Sequence, residues 1–372
     1  MGEPFKNLIG PAQVDWLAER FAAASGKFPA DEFRKRGKKG LAELELKARA
    51  RHLADALEAT LPAKPAEALK VIIKMLEGAP DGESGFRYLA VSEWLERHGP
   101  SEVELALRAN YELTKRFTSE YCVRTLILSA PERTMRELVV WASDESEHPR
   151  RLVSEGTRPR LPWGRHLPPF IADPSPILPL LERLKDDPSD YVRRSVANNL
   201  NDIAKDHPEV VLKVAKKWLE GASAQRTRLV EHGLRTLLKR GDARALKLIG
   251  AHGADSLKVS GSLAPKRVKL GERVTFTAKV RNEGDEVLHA VLEARVHFVK
   301  VKGTSVKPFR LARVDLDPGQ EVEISRSLEL KHRTIRRLFS GVHQVELQVN
   351  GARSPLGRFT LLVPSPSGRG SG

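Results

Sequence analysis

Cysteine is almost missing from this chain: Cys122 is the single copy in 372 residues. A lone thiol builds neither a disulfide framework nor a cysteine-ligated zinc site, and it fits a reducing compartment. Aromatic residues are scarce as well, at 6%, which counts against a sugar-active enzyme with a ring-lined carbohydrate module. There are 11 His, but no HExxH and no pair at ligand spacing, so a metalloenzyme has no motif to rest on and no cofactor is expected. No apolar run reaches the roughly 18 residues a spanning helix needs, so no membrane partner is expected. The opening Met1–Gly10 has no basic segment ahead of an apolar one, which argues against a signal peptide. Lys6 stands where a myristoylation motif requires Ser or Thr.

Negative charge is in deficit. Asp and Glu number 48 against 63 Lys and Arg, a net +15. A chain this basic favours polyanions, nucleic acid first. The excess is uneven: residues 257–372 hold 21 basic and 11 acidic residues, a net +10. The densest clusters there are Ala264–Lys269 and Lys331–Arg337. The length allows two or three domains at about 100–200 residues each.

From about 11 to 250 the apolar period is helical. Val14, Leu17, Phe21 and Ala22 share one face, and further helices are predicted over 101–117, 119–129, 132–143, 147–155, 176–186, 189–205, 208–220, 224–239 and 242–250. They come in short pairs roughly 35–45 residues apart, the spacing of a HEAT-like solenoid. After about 256 the period drops to two. Val274, Phe276, Ala278 and Val280 alternate with polar residues, as do Ala290, Leu292, Ala294, Val296 and Phe298, with turn sequences between such runs. About seven strands in 257–364 read as an immunoglobulin-like sandwich. The predicted organisation is therefore an all-α HEAT-like repeat solenoid (1–256), an all-β immunoglobulin-like sandwich (257–364) and a disordered tail (365–372).

Three segments carry candidate chemistry. In the helix predicted over 189–205, Val192, Val196, Leu200 and Ile203 form the buried stripe, while Arg194, Asn198 and Asp202 recur at i, i+4 and i+8. Asn198 and Asn199 are poor mid-helix choices. They fit either hydrogen bonding between stacked repeats or a polar binding face. Ser119 reads as an N-cap with Glu120 in the first turn, and Arg124 one turn on offers Glu120 an intrahelical partner. Arg151 and Glu155 form another i, i+4 pair. After Gly156 comes a long loop with Arg158, Arg160, Trp163 and Arg165 among five prolines. Trp163 fits either a stacking platform for a base or a plug between repeats.

The segments HPRRLVSEGTRPRLPWG and VRRSVANNLNDIAKDHP resemble the AlkC branch of the HEAT-repeat DNA glycosylases, and the opening EPFKNLIGPAQV is similar to that family's start. The resemblance covers the helical region to about 250, and the β-domain is similar to a module found in a subset of that family. It implies a helical track for double-stranded DNA and hydrolysis of the N-glycosidic bond of cationic N-alkylated bases such as 3-methylcytosine and 3-methyladenine. It assigns Glu120, Glu155 and Asp202 to catalysis, with Asp202 or Glu155 positioning the water. Trp163 and Arg151 fall at the lesion. Arg158, Arg160, Arg194, Asn198 and Asn199 complete the expected lesion and DNA contacts. A bacterial, cytoplasmic, nucleoid-associated monomer follows. The competing expectation is a non-catalytic HEAT-repeat scaffold that binds nucleic acid.

Overall fold

The computed structural model describes residues 5–80, 83–251, 253–332 and 337–364. The expected tail and most of the Lys331–Arg337 cluster lie outside the described residues. Among the described residues there are sixteen α-helices: α1 Pro11–Ala24, α2 Ala30–Lys38, α3 Leu46–Glu58, α4 Pro65–Glu77, α5 Leu89–His98, α6 Val103–Thr114, α7 Glu120–Ser129, α8 Pro131–Trp141, α9 Glu147–Gly156, α10 Pro168–Ala172, α11 Leu178–Leu184, α12 Asp190–Ile203, α13 Pro208–Leu219, α14 Ala224–Gly233, α15 Arg235–Arg240 and α16 Ala243–Leu248. Proline opens α1, α4 and α8 at positions whose N–H groups lack a helical partner anyway. None of the described helices is long and apolar enough to cross a membrane.

Two compact units share the chain: one runs to Val211 and includes Trp218–Gly233, and the other holds Leu212–Lys217 and everything from Leu234 on. In the first unit, helices pack on helices two places along. α3 packs on α5, α4 on α6, α5 on α7, and α12 on α14, while the interruption after α9 pairs α9 with α12. This is how stacked helical pairs bury their apolar stripes. The stripe of α1 is Val14, Leu17, Ala18, Phe21 and Ala24. Ala22, expected on that face, is only half-buried.

The second unit contains a three-stranded antiparallel sheet and a five-stranded sheet. Its strands are β1 Leu257–Ala264, β2 Arg267–Lys269, β3 Arg273–Asn282, β4 Leu288–Val299, β5 Thr304–Leu316, β6 Glu321–Glu329, β7 Gly341–Val349 and β8 Ala352–Leu362. The orders are β1-β3-β6 and β2-β8-β7-β4-β5, with β2 parallel to β8. There are eight described strands against about seven expected; the short β2 carries the Arg267–Lys269 basic cluster. Val274, Phe276, Ala278 and Val280 are all buried, facing a core that includes Leu292, Val296 and Phe298. No disulfide is needed between these sheets, since the apolar interior is continuous.

The first strand begins at Leu257, and the compact unit that contains it begins earlier in the chain. It includes α15 and α16, which are tied to the strands by backbone acceptors. Arg295 Nη1 donates to the Lys239 carbonyl at 2.9 Å, and Arg353 Nη2 to that of Arg240 at 3.2 Å. Gly241 and Gly351 approach so closely that a Cβ on Gly351 would lie 3.0 Å from the Gly241 carbonyl oxygen. Apolar periodicity cannot assign a helix to one neighbour or another, so this division was not legible in the pattern.

Candidate active site

The long interruption after α9 is held from below by a residue of α7. Arg124 is fully buried, and its guanidinium donates to three loop carbonyls: Gly156 at 2.9 Å, Arg158 at 2.7 Å and Arg165 at 2.6 Å. Burial pushes its pKa down to about 10, helped by the neighbouring Arg158 charge, so it remains cationic at neutral pH. The intrahelical partner that Arg124 offered Glu120 is therefore committed to loop anchoring instead. Gly156 lets the end of α9 reach α7, because a Cβ there would lie 2.6 Å from Val123. Within the loop, Leu167 N donates to the Pro159 carbonyl at 3.0 Å, and Leu161 and Leu167 are buried.

On this frame acids and bases alternate. Arg151 Nη1 donates to Glu120 Oε2 at 2.6 Å and to Thr118 Oγ1 at 3.0 Å, and Arg151 Nη2 lies 3.7 Å from Glu155 Oε2. Arg158 Nη1 donates to Glu155 Oε1 at 2.6 Å, and its Nε to Asp202 Oδ2 at 2.7 Å. Lys205 Nζ closes the row on Asp202 Oδ1 at 2.6 Å. The sequence is Glu120, Arg151, Glu155, Arg158, Asp202, Lys205. Ser195 Oγ donates to Glu155 Oε2 at 2.7 Å and accepts from Ser154 Oγ at 2.7 Å. The three carboxylates, brought together from α7, α9 and α12, are 8%, 6% and 1% exposed in row order, whereas the Lys205 side chain is 35% exposed. Burial raises the Glu120 carboxyl above its usual 4.5, against the pull of Arg151. Arg151 also stacks on Tyr191, its guanidinium 5.1 Å from the ring centre, and Tyr191 is 41% exposed.

Trp163 is 86% exposed, so it does not plug a gap between helices. Its φ of +64° is a left-handed conformation that a bulky residue adopts at a cost. Lys47 lies 5.8 Å over its ring and donates to its carbonyl at 3.4 Å. Trp163→Gly is expected to hold or raise the melting temperature, because the strain is relieved and little packing is lost. If Trp163 is the lesion contact that the resemblance implies, affinity for lesion-bearing duplex should fall by roughly 1–3 kcal/mol, the value of a lost stacking contact. A thermal melt and a binding titration on the same variant check both.

Other expected residues lie elsewhere. Arg158 is 7% exposed and locked between two carboxylates, so it is a member of the row rather than a phosphate contact. Asn199 is fully buried, and its Nδ2 donates to the Ser154 carbonyl and Thr157 Oγ1; it ties α12 to the end of α9 and offers no surface. Arg160 is held bidentately by Asp206 at 2.7 and 2.8 Å. Arg194 pairs with Asp190, and Asn198 Oδ1 meets His232 Nε2 at 3.1 Å, so neither joins Asp202. Ser119 precedes α7, but its hydroxyl donates to the Asn110 carbonyl instead of capping the helix. Sequence reasoning missed Arg124, Tyr191 and Lys205. Of these, Lys205 had a local signal, at i+3 from Asp202.

Fold and site together define a class: a stack of helices carrying a buried carboxylate–guanidinium row, followed by an immunoglobulin-like sandwich. Residues 258–363 match the family described as the C-terminal Ig-like domain of the uncharacterised protein YhaZ. The chain is 37% identical over 311 residues to the uncharacterized protein YhaZ of Bacillus subtilis (strain 168), covering 83% of this chain and 85% of that protein. It is similar along nearly its whole length to the Pseudomonas fluorescens alkylpurine DNA glycosylase AlkC, solved bound to DNA containing an abasic site analog. The TM-score is 0.88 at 32% identity, covering 97% of this chain and 100% of that one. The chain belongs to this AlkC-type family, YhaZ included.

Proposed function

We propose that the protein is a DNA glycosylase of base excision repair that hydrolyses the N-glycosidic bond of cationic N-alkylated bases, 3-methylcytosine and 3-methyladenine, in duplex DNA. The observation that carries this reading is the buried row in which Glu120, Glu155 and Asp202 alternate with Arg151 and Arg158. The end-to-end similarity to a glycosylase solved on abasic DNA supports the same conclusion.

The chemistry needs little more than that row. A base alkylated at a ring nitrogen carries a formal positive charge and leaves without being protonated. The glycosidic electron pair departs with it, and the sugar becomes oxocarbenium-like. Carboxylates fixed in a dry site stabilise that positive charge where water would have to reorganise. One of them orients a water whose oxygen bonds to the sugar carbon as its proton passes to the carboxylate, leaving the free base and an abasic sugar. Three carboxylates face two guanidinium groups in the row, and Lys205 is the member most open to solvent. Arg151 and Arg158 hold the carboxylates apart.

The test is release of free base from duplexes bearing a single 3-methylcytosine or 3-methyladenine, with no metal added. Release from either lesion, with none from the undamaged duplex, is the expected result. Tight, salt-dependent binding without release would leave the fold as a DNA-holding scaffold.

A further inference from the structure

A second concave site lies on the other end of α12. Its walls are Asp190, Arg193, Arg194 and Ala197 from α12 and Gln225, Arg228, Leu229 and His232 from α14, around a cavity of about 130 Å³. The floor is rigid: Ala197 and Leu229 are buried, and Gly233 lets the two helices close, since a Cβ there would lie 3.2 Å from that of Leu200. The walls are strongly cationic. Asp190 is the single carboxylate among three guanidinium groups, accepting from Arg194 at 2.5 Å and from Arg193 at 3.5 Å. The Arg193 guanidinium is committed to the protein, donating to the carbonyls of Asp187 at 2.6 Å and Pro188 at 2.8 Å. The Arg194 side chain is 63% exposed, and Arg228 and Gln225 face solvent.

The arrangement leaves two more positive charges than negative in a small cavity with a low-dielectric floor, where the field is focused. A tetrahedral oxyanion with one net charge fits both the size and the sign. Guanidinium groups on two different helices would grip two of its oxygens, with Gln225 offering a neutral donor. Arg194 precedes Asp202 by eight residues, which on an α-helix is about 12 Å. One rigid helix therefore carries this cavity at one end and the carboxylate row at the other.

We propose that the α12–α14 cavity is a phosphodiester site that seats a DNA backbone phosphate a few nucleotides from the lesion, with Arg194 and Arg228 as its ligands. The inference rests on the DNA reading above and gives that reading a register. A phosphate fixed at one end of α12 sets which nucleotide lies beside Asp202 at the other.

The experiment uses the full chain and an undamaged duplex, so that base release plays no part. The dependence of log affinity on log salt is measured for wild type, Arg228→Gln, Arg228→Lys and Asp190→Asn, each checked by thermal melting. One phosphate contact contributes roughly 0.9 to that slope. Arg228→Gln is expected to lower the slope by about that amount and to weaken binding severalfold at low salt. Arg228→Lys should restore the slope, because a point charge suffices for it. Asp190→Asn, which removes the one opposing charge, should tighten binding. An unchanged slope in Arg228→Gln beside normal wild-type binding overturns the phosphate site and leaves the DNA reading intact. Absence of duplex binding by the wild type overturns both.

Discussion

Glu155→Gln should lower the rate of base release by 100-fold or more, about 2.7 kcal/mol of barrier, while duplex affinity stays within a few-fold of wild type. Glu155 occupies the centre of the row. Its two oxygens meet Arg158, Ser195 and Arg151, so it is held in one orientation and pointed by three partners. A Gln keeps the shape but removes the charge that a cationic lesion and an oxocarbenium-like sugar would feel. The same change leaves Arg151 and Arg158 less compensated in a buried setting, where breaking an ion pair costs roughly 3–5 kcal/mol. The rate is therefore read well below the variant's melting temperature. Asp202→Asn should also reduce release, but through Arg158: at 1% exposure, Asp202 is the least accessible of the three carboxylates. A Glu155→Gln enzyme that kept wild-type rates would remove that residue from the chemistry and leave Asp202, the other expected water-positioning group, or Glu120.

Glu120 adds a pH signature. Burial raises its carboxyl above 4.5, so the acid limb of base release is expected above the ordinary carboxylate range. As pH falls through the raised value, Glu120 takes up a proton and the row loses a negative charge. Its effect on stability has the opposite sign. Between 4.5 and the raised value the folded state binds the proton and the unfolded chain does not, so this group's contribution to stability increases as pH falls. Loss of activity there would thus not come from this group's effect on folding. A pH–rate profile beside a pH–melting profile separates the two, and Glu120→Gln should flatten the limb at a low rate.

Much of this was legible in the sequence, for identifiable reasons. Helical and strand periods are set by burial, so α12 shows its stripe of Val192, Val196, Leu200 and Ile203, and β3 its strict alternation. Glu120, Glu155 and Asp202 came with the family motifs. The error over Arg194 and Asp202 was geometric. Eight residues at 3.6 per turn leave about 80° between the two side chains, enough to send Arg194 to the α14 cavity and Asp202 into the row. Arg158 and Arg160 were expected among the lesion and DNA contacts on the family resemblance; here Glu155, Asp202 and Asp206 hold them. The role of Arg124 was illegible on other grounds. All three of its acceptors are backbone carbonyls, 32 to 41 residues further along the chain, and a carbonyl has no residue type for a pattern to reveal.

That same anchor carries the second large expected effect. Arg124→Met should abolish most base release although Arg124 itself is fully buried, with no surface to offer a substrate. Methionine nearly fills the volume but donates nothing, so the carbonyls of Gly156, Arg158 and Arg165 lose their shared donor. Hydrogen bonds to a charged group contribute about 1.5–3 kcal/mol each, partly offset because an expensive buried charge is also removed. The net expectation is a destabilisation of roughly 3 kcal/mol, concentrated in the loop. The functional consequence runs through Arg158. Its carbonyl is pinned by Arg124 while its side chain bridges Glu155 and Asp202. If the backbone drifts, both carboxylates lose their spacer, and misplacement by about 1 Å can cost 100-fold. Arg124→Lys keeps the charge but cannot span three acceptors, so it should recover stability better than rate. Trypsin reads the loop directly, since Arg160 and Arg165 lie within it and are followed by Leu161 and His166. Under native conditions the Met variant should be cut there well before the helices are, and the wild type should not. Equal resistance together with an equal rate would mean that the buried Leu161 and Leu167 suffice to hold the loop, and that Arg124 only fills space beneath it.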